Sequence, residues 1–168
     1  MPISEVYNTD CLEYMKTIPD KFFDLCIADP PYGIGISGQK SCICKNRKHN
    51  RKLHIDRGWD AKSPELQVFN EIQRVSKKVI IWGANYFIDK LQGAYKGWIF
   101  WYKGQQGLTM SDGELAFSNF DKPLRMVTIN RCQLAKEGTI HPTQKPIALY
   151  NWLLDNYANG GVKYLTHS

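Results

Sequence analysis

The segment Phe22-Phe23-Asp24-Leu25-Cys26-Ile27-Ala28-Asp29-Pro30-Pro31-Tyr32 constrains the fold of this chain more than any other. Residues Phe22 to Ala28 form a short, nearly continuous apolar run, the pattern of a strand covered on both faces. Two consecutive prolines follow. Neither can donate to a sheet ladder, so the strand must end there in a rigid loop.

The rest of the chain supplies elements to cover such a strand. Glu5 to Asn8 reads as a short strand, and Cys11 to Ile18 puts Leu12, Met15 and Ile18 at helical spacing before Pro19 ends the helix. Ser63-Pro64 suggests a helix cap with proline at the first position, followed by a stripe of Leu66, Val68, Phe69, Ile72 and Val75. Val79 to Trp82 is a second buried strand, closed by Gly83-Ala84-Asn85, and Trp98 to Tyr102 is a third. Glu114 to Phe120 and Leu124 to Ile129 alternate around Asp121-Lys122-Pro123, which predicts two paired strands. Thr143 to Tyr157 reads as a helix with Pro146 in its first turn, stopped by Asn159-Gly160-Gly161, and Val162 to Leu165 begins another strand. Strands alternating with helices predict an α/β domain around a largely parallel sheet. Ligands of such sheets bind at the carboxyl ends of the strands, where Asp29 to Tyr32 fall.

At 168 residues, 43% of them hydrophobic, the chain suits a single domain spanning 1–168 with a real core. No apolar run approaches the roughly 18 residues of a membrane span, and the first residues do not read as a signal peptide. The expectation is a cytoplasmic protein with no membrane partner. Five cysteines is an odd count, spread over apolar (Cys11, Cys26), basic (Cys42, Cys44) and polar (Cys132) surroundings, which points to free thiols in a reducing compartment.

The net charge of +6 has a location. Lys40, Lys45, Arg47, Lys48, Arg51, Lys52 and Arg57, against the single acid Asp56, account for all of it. These residues lie in a long polar loop, 33–58, without hydrophobic periodicity. Such a concentration suits phosphate-backbone contacts, while a merely basic, solvated loop would carry the same charge.

Asp-Pro-Pro-Tyr after a buried strand has a definite chemistry. An ionised Asp only accepts hydrogen bonds, two prolines leave carbonyl acceptors without competing N–H donors, and Tyr offers a flat face. These groups suit an exocyclic amino group on a stackable ring, such as a nucleobase extruded from a duplex. Stacking on an aromatic residue is worth about 1–3 kcal/mol per base.

The segment Ile27-Ala28-Asp29-Pro30-Pro31-Tyr32 resembles the catalytic motif of DNA amino-methyltransferases, which methylate adenine N6 or cytosine N4. Tyr7-Asn8-Thr9-Asp10-Cys11-Leu12, Ile81 to Phe87, Gly97 to Trp101, Phe120 to Pro123 and His141-Pro142-Thr143-Gln144-Lys145-Pro146 look like further segments of the permuted (beta) class, in which the catalytic motif precedes the cofactor-binding one. The resemblance implies a Rossmann-like class I methyltransferase sheet with flanking helices. It also implies S-adenosylmethionine as methyl donor and a flipped-out base in double-stranded DNA as acceptor. Asp29 and the Pro30 carbonyl would hold the amino group, with Pro31 stiffening the motif and Tyr32 stacking on the base. The Asp form of the motif implies adenine N6 as the target. Asp10 would approach the adenosyl moiety, and Thr143 and Lys145 the methionine end. Lys40, Lys45, Arg47, Lys48, Arg51 and Lys52 are the candidate DNA contacts. Simpler readings stand beside these: Asp10 and Thr143 can each cap a helix, and Lys145 can be a solvated helix-start lysine. Arg125 and Arg131 are candidates for base-edge contacts, or ordinary surface arginines.

In that family a segment like Gly161 to Leu165 leads into a glycine-rich loop whose backbone approaches the cofactor. Here Leu165-Thr166-His167-Ser168 follows instead. The expectation is a partial domain, a sheet incomplete at its C-terminal end and weak S-adenosylmethionine binding by this chain alone. Three functional classes follow: an adenine methyltransferase, a catalytically silent DNA-binding remnant, or half of a split enzyme. The last would have a complementing C-terminal fragment as partner, and homodimers also occur in the permuted class.

Two other patterns carry less. Gly33-Ile34-Gly35-Ile36-Ser37-Gly38 matches the dinucleotide fingerprint, but no apolar helical stripe follows it. Cys42 and Cys44 with His49 and His54 invite zinc, yet the Cys-x-Cys gap is shorter than usual, so no metal is expected.

Overall fold

The structure, a computed structural model, describes residues 5–35, 58, 60–91, 93, 95–107, 111–130, 143–158, 160 and 163–167. The basic residues Lys40 to Arg57, the Cys42, Cys44, His49 and His54 group, Cys132 and Arg131 lie outside them.

Helix α1 (Cys11–Lys16) begins where the Asp10 carboxylate accepts the amides of Leu12 and Glu13. Strand β1 (Phe23–Ala28) follows. Helix α2 (Leu66–Val75) runs directly into β2 (Ser76–Trp82), which ends at a 3₁₀ turn over Ala84–Tyr86. Then come β3 (Ile99–Tyr102), β4 (Gly113–Ser118), β5 (Arg125–Thr128), helix α3 (Ile147–Tyr157) and β6 (Tyr164–His167).

The strands form one six-stranded sheet in the order β5-β3-β4-β2-β1-β6. β1 pairs in parallel with β2 and β6, and β3 in parallel with β5, while β4 runs antiparallel to both its neighbours. The sheet is thus parallel except for one reversed strand. β1 is flanked on both sides and has one core layer on each face. Cys26 and Ala28, with Val79 and Ile81 of β2, pack under Met15, Phe69, Ile72 and Val75 of α1 and α2. Leu25 and Ile27, with Ile80 and Trp82, pack under Leu149, Leu153 and Tyr157 of α3. This two-sided cover is the reason the strand sequence shows no alternation.

Several boundaries differ from the sequence expectations. Residues 5–8 are not in a strand. Helix α2 starts after Glu65, so Ser63 is not its cap; the Ser63 hydroxyl instead accepts from Lys90 Nζ at 2.6 Å. Helix α3 starts after Pro146, whose extended backbone (ψ 140°) places it at the cap position, and Thr143 lies outside the helix. β4 and β5 are not paired with each other, because β3 lies between them. Alternation fixes which face of a strand is buried but not its neighbour. Here the connection after β4 carries the chain past β3, bringing Val127 into the layer of Ile99 and Trp101.

Arg74 locks α1 to α2. Its guanidinium donates to the Met15 and Ile18 carbonyls at 2.8 and 2.9 Å, at and just beyond the C-terminal end of α1. It also pairs with Glu71 and Asp20. Cys11 and Cys26 are free thiols, and burial pushes the Cys26 thiol up to about 12. Among the described residues no helix is long and apolar enough to cross a membrane.

Candidate active site

β1 and β2 run side by side and end together, with Ala28 in register with Ile81. The chain leaves β1 through Asp29-Pro30-Pro31-Tyr32 and leaves β2 through Gly83, so the two exits share one rim of the sheet. Gly83 takes a left-handed conformation (φ 69°), which costs an ordinary residue about 1–2 kcal/mol. It also makes room: a Cβ there would stand 2.2 Å from Tyr32 Cε1. The Tyr32 ring stacks on Tyr86 of the 3₁₀ turn (centroids 5.1 Å apart, planes 20° apart) and meets Phe87 edge-on at 6.0 Å. Just beyond Tyr32, the buried Asp60 accepts the Gly33 amide on its carboxylate at 2.8 Å and the Gly35 amide on its carbonyl at 3.0 Å. The loop leaving the tetrapeptide is therefore anchored.

The reversed β4 completes the rim. Because it runs opposite to its neighbours, its first residues, not its last, lie at their carboxyl ends. That brings Glu114 to the site, beside Lys103, which directly follows β3. Lys145, two residues before α3, reaches the same place from the other layer. Its ammonium lies 2.5 Å from Asp29 Oδ2 and 3.2 Å from Glu114 Oε2, and it donates to the Tyr32 hydroxyl at 3.2 Å. Three donors thus meet three acceptors. Lys103 pairs with Glu114 Oε1 at 2.8 Å. The Tyr32 hydroxyl, with one proton to give, faces Asp29 Oδ1 at 3.0 Å and Glu114 Oε2 at 3.1 Å.

Two cations and two anions balance here in a site largely closed to water: Lys145 is 6% exposed and Lys103 8%. Burial on its own would raise the Glu114 carboxyl, but the Lys145 and Lys103 ammoniums hold it down to about 2. Burial likewise works against the charge on Lys145, and the Asp29 and Glu114 carboxylates outweigh it, so its pKa is raised. The Tyr32 hydroxyl is held far above its usual range by burial and by the same two carboxylates. At neutral pH Glu114 is therefore ionised, Lys145 charged and the Tyr32 phenol neutral. Removing one partner of such a buried pair costs roughly 3–5 kcal/mol, because the other charge is left uncompensated.

The tetrapeptide residues Asp29, Pro30, Pro31 and Tyr32 are thus together, at the strand ends where the sequence places them. Lys145 joins them, although its partners are on the Asp29 side. Asp10 is engaged as the cap of α1, both bonds falling on Oδ1 at 2.9 and 3.0 Å. Thr143 is half-buried, two residues before Lys145. Lys40, Lys45, Arg47, Lys48, Arg51 and Lys52 are outside the described residues. Arg125 is exposed at the first position of β5, hence at the opposite end of the sheet from the tetrapeptide. Gly33 and Gly35 lie in no helix, and the residues that would follow them in a dinucleotide-binding turn are outside the described residues.

Glu114, Lys103, Tyr86 and Phe87 are site residues that sequence reasoning missed. A lone Glu in an alternating strand reads as its solvent side, and nothing local reveals that the strand is reversed. The sequence matches no protein-family model, and no curated protein matches it.

Proposed function

We propose that the chain carries the base-binding site of a DNA adenine-N6 methyltransferase, built on a Rossmann-like sheet. One observation carries this reading: the Asp29 carboxylate and the Tyr32 ring stand together at the carboxyl end of a central parallel strand. That rim is where doubly wound sheets bind their ligands, and β1 has partners on both sides there, as at a topological switch point.

Asp29 accepts an N–H from the exocyclic amino group, and the Pro30 carbonyl offers a second acceptor. Together they orient the nitrogen lone pair toward the methyl carbon. The aromatic wall of Tyr32 and Tyr86, backed by the buried Phe87, receives the ring. As the acceptor nitrogen takes up the methyl group that bound S-adenosylmethionine would supply, positive charge would grow on that nitrogen. A carboxylate in a water-poor site stabilises that charge without reorganising, and holding the two reactants in line supplies much of the acceleration. The nitrogen then gives up a proton to solvent.

S-adenosylmethionine is the donor this reading requires, supplying an electrophilic methyl group when bound. Of the residues the resemblance assigns to it, Asp10 and Thr143 remain candidates. Lys145 fits less well: its ammonium is buried against Asp29 and Glu114, and a sulfonium is itself cationic. We place Lys145 on the acceptor side. The basic residues Lys40, Lys45, Arg47, Lys48, Arg51 and Lys52 would hold the DNA backbone.

Transfer of a labelled methyl group to adenine-rich duplex DNA tests the reading. Label should appear at adenine N6 with the wild-type chain and vanish with Asp29→Ala. Transfer that survives in Asp29→Ala, or label on cytosine, would refute it.

A further inference from the structure

The Asp29 carboxylate, which the reading above assigns to an incoming amino group, already holds a nitrogen. Lys145 Nζ is 2.5 Å from Oδ2, and the Tyr32 hydroxyl takes up Oδ1. An ammonium bound this closely neutralises the charge that the acceptor amino group would use. The same ammonium has a second carboxylate within reach, Glu114 Oε2 at 3.2 Å. Lys145 is too buried to leave for water, and its charge is held on by these two carboxylates. Among the described residues, the carboxylate that can receive Lys145 as it retreats from Asp29 is Glu114.

Resting on the base-binding reading, we infer that Glu114 is a positioning residue for the acceptor amino group. It draws Lys145 off Asp29 when the amino group arrives. The exchange breaks no covalent bond and moves no proton. Lys145 closes its longer contact to Glu114 and lengthens its shorter one to Asp29, and the substrate N–H takes the vacated place on Oδ2. Lys103, 2.8 Å from the other Glu114 oxygen, keeps that carboxylate ionised and fixed while this happens. The total charge of the site does not change, so nothing has to be brought in from solvent.

The recognition sequence is not needed to test this. Single-stranded oligo(dA) and oligo(dT) of equal length share the phosphate backbone, but only oligo(dA) carries an exocyclic amino group. Fluorescence anisotropy with the full chain gives the ratio of their dissociation constants, in which phosphate contacts largely cancel. The wild type should prefer oligo(dA) by about tenfold, the equivalent of one modest hydrogen-bonding difference, and Asp29→Asn should abolish the preference. In Glu114→Gln, Lys145 keeps Asp29 as its counter-ion among the described residues, and the preference should also disappear. The double variant Glu114→Gln/Lys145→Met removes the competing cation together with its parking place, and the preference should return. Loss in the single variant with recovery in the double is what a merely structural role for Glu114 does not produce. A preference that persists in Glu114→Gln, or that stays lost in the double variant while the wild type shows it, overturns the inference and leaves the base-binding reading standing. Absence of any Asp29-dependent preference in the wild type overturns both.

Discussion

Tyr32 rests against Gly83 so closely that a single added carbon at Gly83 would overlap three of its ring atoms, Cε1, Cδ1 and Cζ, all within 2.6 Å. The glycine ends β2, the tyrosine follows β1, and their contact sets where the aromatic wall stands relative to Asp29. Gly83→Ala should therefore displace Tyr32 as well as strain the turn. The positive φ alone costs about 1–2 kcal/mol, and urea denaturation should show at least that loss. Methyl transfer should fall further than stability does, because Tyr32 carries the stacking face. A variant with wild-type stability and transfer would show that the contact positions nothing.

The Glu114 carboxyl is held down to about 2 in the folded protein. A depressed folded-state value means that the unfolded chain binds the proton more readily. Glu114 therefore contributes stability that is fully present above the ordinary carboxylate value of about 4.3 and is lost as pH falls toward 2. Plotted against pH, the denaturation free energy of the wild type should drop more steeply across that window than that of Glu114→Gln. Parallel curves would mean that the two lysines do not stabilise the ionised form.

Asp10 has two candidate roles that one pair of substitutions separates. As the cap of α1, Asp10→Ala should lose about 1 kcal/mol while Asp10→Asn should lose almost none, since asparagine caps equally well. As a ligand of the adenosyl group through its charge, Asp10→Asn should instead weaken S-adenosylmethionine binding by calorimetry while leaving stability intact. The cap bonds on Oδ1 predict the first pattern for stability in either case.

The basic stretch makes an electrostatic prediction. If Lys45, Arg47, Lys48, Arg51 and Lys52 each contact a phosphate, changing all five to glutamine should lower the slope of log K against log salt by roughly 4 to 5 for duplex DNA. Affinity should fall by a similar factor for every sequence. An unchanged slope would assign these residues to a solvated loop.

Much of the site's location was legible in the chain. The apolar run ending in two prolines marks a buried strand and its exit, and Val79 to Trp82 before Gly83 marks the neighbouring exit. What was not legible is which charges gather there. Asp29, Glu114 and Lys145 are separated by 85 and 31 residues, and no local pattern links them. Boundaries failed for local reasons: Ser63-Pro64 and Thr143 look like helix starts, but each helix begins only after a further extended residue, Glu65 or Pro146. The pairing of β4 with β5 failed because alternation describes a face and says nothing about a neighbour.

By itself the sequence determined that β1 is buried on both faces and where it must stop, since hydrophobicity and the missing proline N–H act residue by residue. Tertiary structure alone decided that β4 runs backwards between β2 and β3. That reversal delivers Glu114 to the rim, where Lys145 is shared between two carboxylates. Strand direction is settled by the packing of whole elements against one another, and buried charges take their meaning from partners distant in the chain.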